Sequence, residues 1–422
     1  MNFLRRLSAL SILVVVSFST GLSQALPTVQ PEQVGLSSRR LQRINEVFQD
    51  YVDKRRLAGL IAVVARHGEV AQFQTLGYSD LESRKPMRRD AIFRIYSMTK
   101  PIIGVGLMTL FEEGRFQLTD PVSKYIPELK GLKVAKGQLE GGIVLEEVDH
   151  EMTIRELMTH TSGLTYGLFS RSPVDTLYRK ADVLSRDGTL EDMVEKLSRI
   201  PLWAQPGTKW HYSVAADVQG YLIQILSGQR LDEFLRLRIF QPLKMVDTGF
   251  YVPQGKLSRF TTNYGPPKAG QNEIRVIDRP SESRFARPPT FLSGGGGLVS
   301  TASDYLRFCQ MLLNGGELDG NRILGLRTVE LMTRNHLSRS IGEISPNSGV
   351  GFGLDFAVVL DPIRVGSLGS AGEFNWGGLA STVFWIDRKE DLIAILMTQF
   401  IPSGHYPLRA QFKNLIYQAI LK

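Results

Sequence analysis

The chain has 422 residues, 43% of them apolar and 22% charged, with a formal charge of +8. That composition supports a sizeable core and excludes wholesale disorder. One cysteine, Cys309, excludes an intramolecular disulfide framework and any multi-cysteine zinc or iron–sulfur site.

Arg5 and Arg6 precede an apolar run over 7–18, and Ser23-Gln24-Ala25 sets small residues before Leu26-Pro27. This is the pattern of a secretory signal peptide over 1–25. The run falls short of the about 20 residues that a membrane span needs. The expected mature chain, 26–422, is therefore exported to the periplasm or beyond, keeps no membrane span and carries a charge of +6 once both arginines leave. An uncleaved N-terminal anchor is the other reading of the same segment. Basic residues elsewhere are scattered, with short runs at Lys54-Arg55-Arg56 and between Arg84 and Arg89. They read as solvated faces, and no nucleic-acid partner is expected.

Apolar residues Leu41, Ile44, Val47, Phe48 and Tyr51 predict a helix over 38–53. Residues 60–65 and 70–76 read as two strands joined at His67-Gly68-Glu69. A buried helix is expected over 97–113, stopped by Gly114. Thr153 and Glu156 have capping-box spacing for a short helix. Further helices are predicted over 191–200, 214–226, 231–240, 303–313 and 328–334. Two β-rich runs, 379–386 and 392–400, flank a polar turn, and an amphipathic helix over 408–421 closes the chain.

Strands thus cluster near both ends with helices between. The pattern predicts an α/β (α+β) unit whose antiparallel sheet is built from both termini, with an inserted helical lobe. The sheet lobe is expected at about 30–90 and 300–422, the helical lobe at about 91–299. The run Gly294–Gly297 reads as a tight loop needing unusual backbone angles rather than a phosphate cradle, since no Walker pattern accompanies it.

The six histidines show no paired metal-ligand spacing, and neither Gly-x-Ser-x-Gly nor a dinucleotide glycine signature occurs. No metal or cofactor is expected. Ser97-Met98-Thr99-Lys100 opens a helix, and residues three apart share a helical face, so the amine reaches the hydroxyl. The helix start adds positive potential and N–H donors suited to a developing oxyanion. Tyr212, before Ser213, offers a phenol that a neighbouring lysine turns into a proton carrier. Trp376-Gly377-Gly378-Leu379 stands at the start of a strand-like run, where glycines let a substrate approach the backbone. An N–H there completes an oxyanion hole with that of Ser97.

In this order the segments resemble the serine β-lactamase and DD-peptidase-like superfamily, whose motifs include Ser-x-x-Lys. The likeness is strongest to family VIII carboxylesterases, which look like class C β-lactamases turned to ester hydrolysis. Matching stretches extend from about Gln33 to Phe400 and include the segments 157–164 and 295–301. The resemblance implies Ser97 as acylated nucleophile, with Lys100 and Tyr212 sharing the proton traffic. It implies the backbone N–H groups of Ser97 and Leu379 as oxyanion donors, and Trp376, Gly377 and Gly378 against the substrate. His160 falls in a segment that looks structural.

Two departures matter. Where β-lactamases usually carry an asparagine after the tyrosine motif stands Val214, and where they carry a lysine stands Trp376. Losing an amide and a cation weakens the grip on an anionic lactam, while Trp376 offers an apolar wall. The expected function is an exported serine hydrolase acting on small carboxylic esters. A β-lactamase or DD-peptidase (penicillin-binding) activity, an acyltransferase and a catalytically silent envelope-binding protein are the alternatives.

Overall fold

The computed structural model describes residues 26–139, 142–168 and 171–421. The expected signal peptide lies outside them.

Alternation within one strand explains the architecture. Along Gly59–Arg66, Ile61, Val63 and Ala65 enter one apolar cluster, while Leu60, Ala62 and Val64 enter another on the opposite face. A strand buried on both faces must be covered by helices on both sides. The strand turns back through His67 (φ 56) and Gly68 (φ 78) into Glu69–Asp80. That two-residue turn has the left-handed backbone favoured in hairpins. On its other edge Gly59–Arg66 pairs antiparallel with Leu392–Thr398, Val63 opposite Ile395. Among the described residues the sheet has eight strands, in the order Val350–Phe352, Ala357–Val359, Phe374–Gly377, Val383–Asp387, Leu392–Thr398, Gly59–Arg66, Glu69–Asp80 and Lys85–Pro86. Every pairing is antiparallel. The sheet is therefore assembled from both chain ends, as expected.

Ser38–Asp53 and Leu408–Tyr417 cover one face, where Phe48 meets Phe412 at a ring separation of 5.8 Å. The other face receives Ala302–Leu313, with Tyr305 5.1 Å from Phe384. Beyond it lies Thr99–Glu112, buried continuously from Thr99 to Leu110. A helix apolar on all sides belongs inside a molecule. It packs on Ala215–Ser227, so one apolar core runs from the sheet into the helical region. Among the described residues no helix is long and apolar enough to cross a membrane.

Several expected elements shift. The helix predicted to open at Ser97 begins as a 3-10 turn, Tyr96–Met98, and becomes α-helical at Thr99. The stretch 231–240 is α-helical over Leu231–Leu235 and π-helical over Arg236–Phe240. The final helix ends at Tyr417, short of 421. The run 379–386 is strand only from Val383, because Ser381 adopts φ 66 and the chain turns there.

Candidate functional site

Ser97 is presented by a strained junction. The short strand Ile92–Arg94 pairs with Val299–Thr301, and the N–H of Ile95 donates to Leu298 at 3.1 Å. Tyr96 then takes φ 43, unusual for a bulky side chain, and turns the chain into the helix. The Tyr305 hydroxyl fixes this corner by donating to the Met98 carbonyl at 2.9 Å.

The hydroxyl of Ser97 accepts from Tyr212 Oη at 2.7 Å and from Lys100 Nζ at 3.3 Å. Lys100, 1% exposed, also donates to the Gly295 carbonyl at 2.6 Å and to Tyr166 Oη at 3.4 Å. Its nitrogen stands 4.5 Å from the centroid of the Tyr212 ring and 5.3 Å from that of Tyr166. The predicted serine, lysine and tyrosine thus meet in one cluster, with Lys100 buried and Ser97 and Tyr212 half-buried.

Sequence reasoning missed the groups behind that cluster. Asp217 accepts from Ser293 Oγ at 2.6 Å and from the Gly295 N–H at 2.9 Å, so it anchors the residue whose carbonyl accepts from Lys100. Burial pushes the Asp217 carboxyl up. Burial, then Asp217 and Tyr212, push the Tyr166 phenol well above its ordinary value, so it stays neutral. Neither residue carries a motif signal beyond Tyr166 lying close after the 157–164 segment.

The glycine run needs a correction. None of Gly294 to Gly297 adopts a left-handed φ. Crowding is the reason for glycine: a Cβ on Gly295 would stand 2.5 Å from Asp217 Oδ2 and 2.6 Å from Tyr166 Oη. One on Gly294 would overlap the Ala216 carbonyl. The loop must lie flat on the helix that follows Tyr212.

His160 brackets Tyr212 from both sides. Its carbonyl accepts the His211 N–H at 2.8 Å, and its Nδ1 meets the Ser213 N–H at 3.3 Å and hydroxyl at 3.1 Å. Its ring lies 5.0 Å from that of Tyr212. Burial, with smaller contributions from Lys100 and His211, holds the imidazole well below its ordinary pKa, hence neutral. Val214 is fully buried and serves as packing behind the site.

An aromatic wall continues from Tyr212. Trp376 lies 5.6 Å from it, Phe352 lies 5.3 Å from Trp376, and Trp210 lies 5.6 Å from Phe352. Trp376 and Gly377 end the strand Phe374–Gly377 rather than starting one, and Gly378 to Ser381 form the turn into Val383–Asp387. Leu379 accordingly sits at a hairpin tip, 41% exposed, and not within a strand. A Cβ on Gly378 would overlap the carbonyl oxygen of Ile95, which places this tip against the backbone two residues before Ser97. Among the described residues neither the Ser97 nor the Leu379 N–H has a hydrogen-bond acceptor. No three His, Cys, Asp or Glu side chains among those residues are arranged to hold a metal.

The β-lactamase family model matches residues 44–417. Esterase EstB of Burkholderia gladioli is 32% identical over 394 residues, covering 89% of this chain and 94% of that protein. Lovastatin esterase of Penicillium rubens is 26% identical over 396 residues, covering 88% and 96%. Among solved structures, EstCE1, a hydrolase with promiscuous acyltransferase activity, superposes with a TM-score of 0.77 at 28% identity, covering 90% of this chain and 99% of that one. The chain belongs to the serine β-lactamase family and is a serine-hydrolase enzyme with esterase relatives.

Proposed function

We propose that this protein hydrolyses small carboxylic esters through an acyl-enzyme on Ser97. The observation that carries the reading is the Ser97 hydroxyl held 2.7 Å from the Tyr212 phenol and 3.3 Å from the Lys100 amine. Ser97 Oγ attacks the ester carbonyl while its proton passes to the Tyr212–Lys100 pair. The N–H groups of Ser97 and Leu379 receive the negative oxygen. Collapse expels the alkoxide, which leaves as the alcohol with the proton returned from the pair. Water then attacks the acyl carbonyl by the same route, and the carboxylic acid departs with Ser97 restored.

Three features favour esters over lactams. Trp376 replaces a carboxylate-binding cation, Val214 replaces an amide, and Trp210 and Phe352 extend an apolar wall. The esterase relatives agree in direction. Purified protein is expected to turn over p-nitrophenyl butyrate and to be labelled by a fluorophosphonate on Ser97, with Ser97→Ala losing both. Turnover at wild-type rate in Ser97→Ala contradicts the assignment. Covalent labelling by a fluorescent penicillin without ester turnover points instead to the penicillin-binding activity.

Acyl transfer is a second reading, favoured by the structural neighbour's acyltransferase activity. Product analysis with added short alcohols separates it from hydrolysis. We also propose export, on the leader-like pattern over 1–25. Fractionation of expressing cells, with N-terminal sequencing of the mature chain, tests it.

A further inference from the structure

A buried acid behind the nucleophile helix is unused by this chemistry. Asp355 occupies the turn between Val350–Phe352 and Ala357–Val359, is 1% exposed and has φ 65. Its N–H donates to the Met158 carbonyl at 3.0 Å, and its Oδ1 accepts from Gln219 Nε2 at 3.1 Å. Its Oδ2 lies against Gly104, where a Cβ would stand 2.6 Å away. Gly104 follows Lys100 by four residues, one turn along the same face. One side chain therefore touches the helix bearing Lys100 and the helix that follows Tyr212, while its backbone ties it to the segment leading to His160.

The hydrogen-bond inventory of this pair is unbalanced. Asp355 Oδ2 and Gln219 Oε1 are both buried without a hydrogen-bond partner among the described residues. An ionised carboxylate contributes acceptors only, whereas a protonated one supplies the missing donor. Burial, opposed by the Gln219 bond and by Lys100, pushes the Asp355 carboxyl up to about 8. Lys100 is the basic group facing it from the nucleophile helix. Gln219 and the Met158 carbonyl, facing it from the other two elements, are neutral.

We propose that Asp355, protonated and paired with Gln219, is a positioning residue. It locks the Gly104 turn so that Lys100 keeps its place between Ser97 and Tyr212, and loss of its proton sets an anion behind Lys100. The inference rests on the acyl-enzyme reading and deepens it. An anion there changes the field at the Lys100–Tyr212 pair that takes the Ser97 proton, and so slows that transfer.

The experiment compares wild type, Asp355→Asn and Asp355→Leu. It reads Ser97 labelling by a fluorophosphonate, and kcat and KM for p-nitrophenyl butyrate across neutral and alkaline pH. Asparagine keeps the neutral pair and tolerates the left-handed turn. Asp355→Asn is expected to stay within about threefold of wild type at neutral pH, and to lack the decline in kcat expected of wild type above about pH 8. Asp355→Leu is expected to lose at least about tenfold in kcat with little change in KM, as for an interaction used in the transition state. If Asp355→Leu fails to fold, the asparagine profile alone decides. An Asp355→Asn profile superimposable on that of labelled wild type overturns this inference. Wild type unlabelled at Ser97 overturns the acyl-enzyme reading itself, and this inference with it.

Discussion

Replacing Gly378 with alanine tests the proposed oxyanion site most directly. The position lies outside the left-handed region, so alanine adds no backbone strain and the effect is purely steric. An added Cβ overlaps two neighbours, the Thr382 hydroxyl and the Ile95 carbonyl oxygen. Thr382 can rotate, but the carbonyl belongs to the backbone that presents Ser97. Ordinary carbon contacts sit near about 3.5 Å, so relief requires the hairpin tip to retreat by about 1 Å. In the proposed mechanism, Leu379 N–H then moves away from the reacting carbonyl. A misplacement of that size costs about 10²-fold, and loss of one oxyanion donor about 10²–10³-fold, equivalent to roughly 2.7–4 kcal/mol of the barrier. The expected result is a kcat/KM for p-nitrophenyl butyrate reduced at least about 100-fold, with a cooperative thermal transition retained. Gly377→Ala is the control: its Cβ meets the Thr382 carbonyl at 3.1 Å, so a smaller loss is expected. A Gly378→Ala protein within about threefold of wild type would refute the placement of Leu379 in the oxyanion site.

Other variants probe separate parts of the site. Tyr212→Phe removes the hydroxyl 2.7 Å from Ser97 and is expected to lower kcat by about 10²–10⁴-fold while the melting temperature hardly changes, as steady-state rates and calorimetry would show. Trp376→Ala opens the aromatic wall and should raise KM for apolar acyl chains more than for acetate esters; equal effects on a chain-length series contradict an acyl-facing wall. Asp355 also predicts a stability slope. Its folded pKa of about 8 exceeds the unfolded 3.8, so its contribution is complete below the unfolded value and is lost as pH rises to about 8. About 4 pH units at 1.36 kcal/mol each set an upper limit of roughly 6 kcal/mol, which Asp355→Asn should abolish. Urea midpoints near pH 5 and pH 8 that shift equally in both proteins would argue against a buried neutral acid.

Much of this protein is legible in one dimension because the relevant physics is local. The helix Ser38–Asp53 has the bounds its periodicity predicts, and the Thr153–Glu156 capping box forms as its spacing requires. The meeting of Ser97 and Lys100 follows from helical rise, which puts residues three apart on one face. Strand character at both chain ends was enough to predict a sheet shared between them. Where the reading failed, composition did not carry conformation. Leu379 and Ala380 look like a strand beginning, yet they form a hairpin tip because Ser381 turns left-handed. The glycines at 294–297 suggested unusual angles, whereas their cause is the nearness of Ala216, Asp217 and Tyr166.

The rest belongs to the tertiary structure. Tyr212 lies 115 residues from Ser97, and Gly295 lies 195 residues from Lys100. No local rule relates them; the packing of Thr99–Glu112 on Ala215–Ser227 does. Asp217 and Asp355 are single acids without any motif, and their behaviour arises only when burial removes water from carboxyls that already sit near Lys100. Three short motifs, through the family they resemble, were enough to indicate what kind of enzyme this chain is. The close approach of distant segments, which decides each group's solvation and proton, determined how Ser97 is equipped to act.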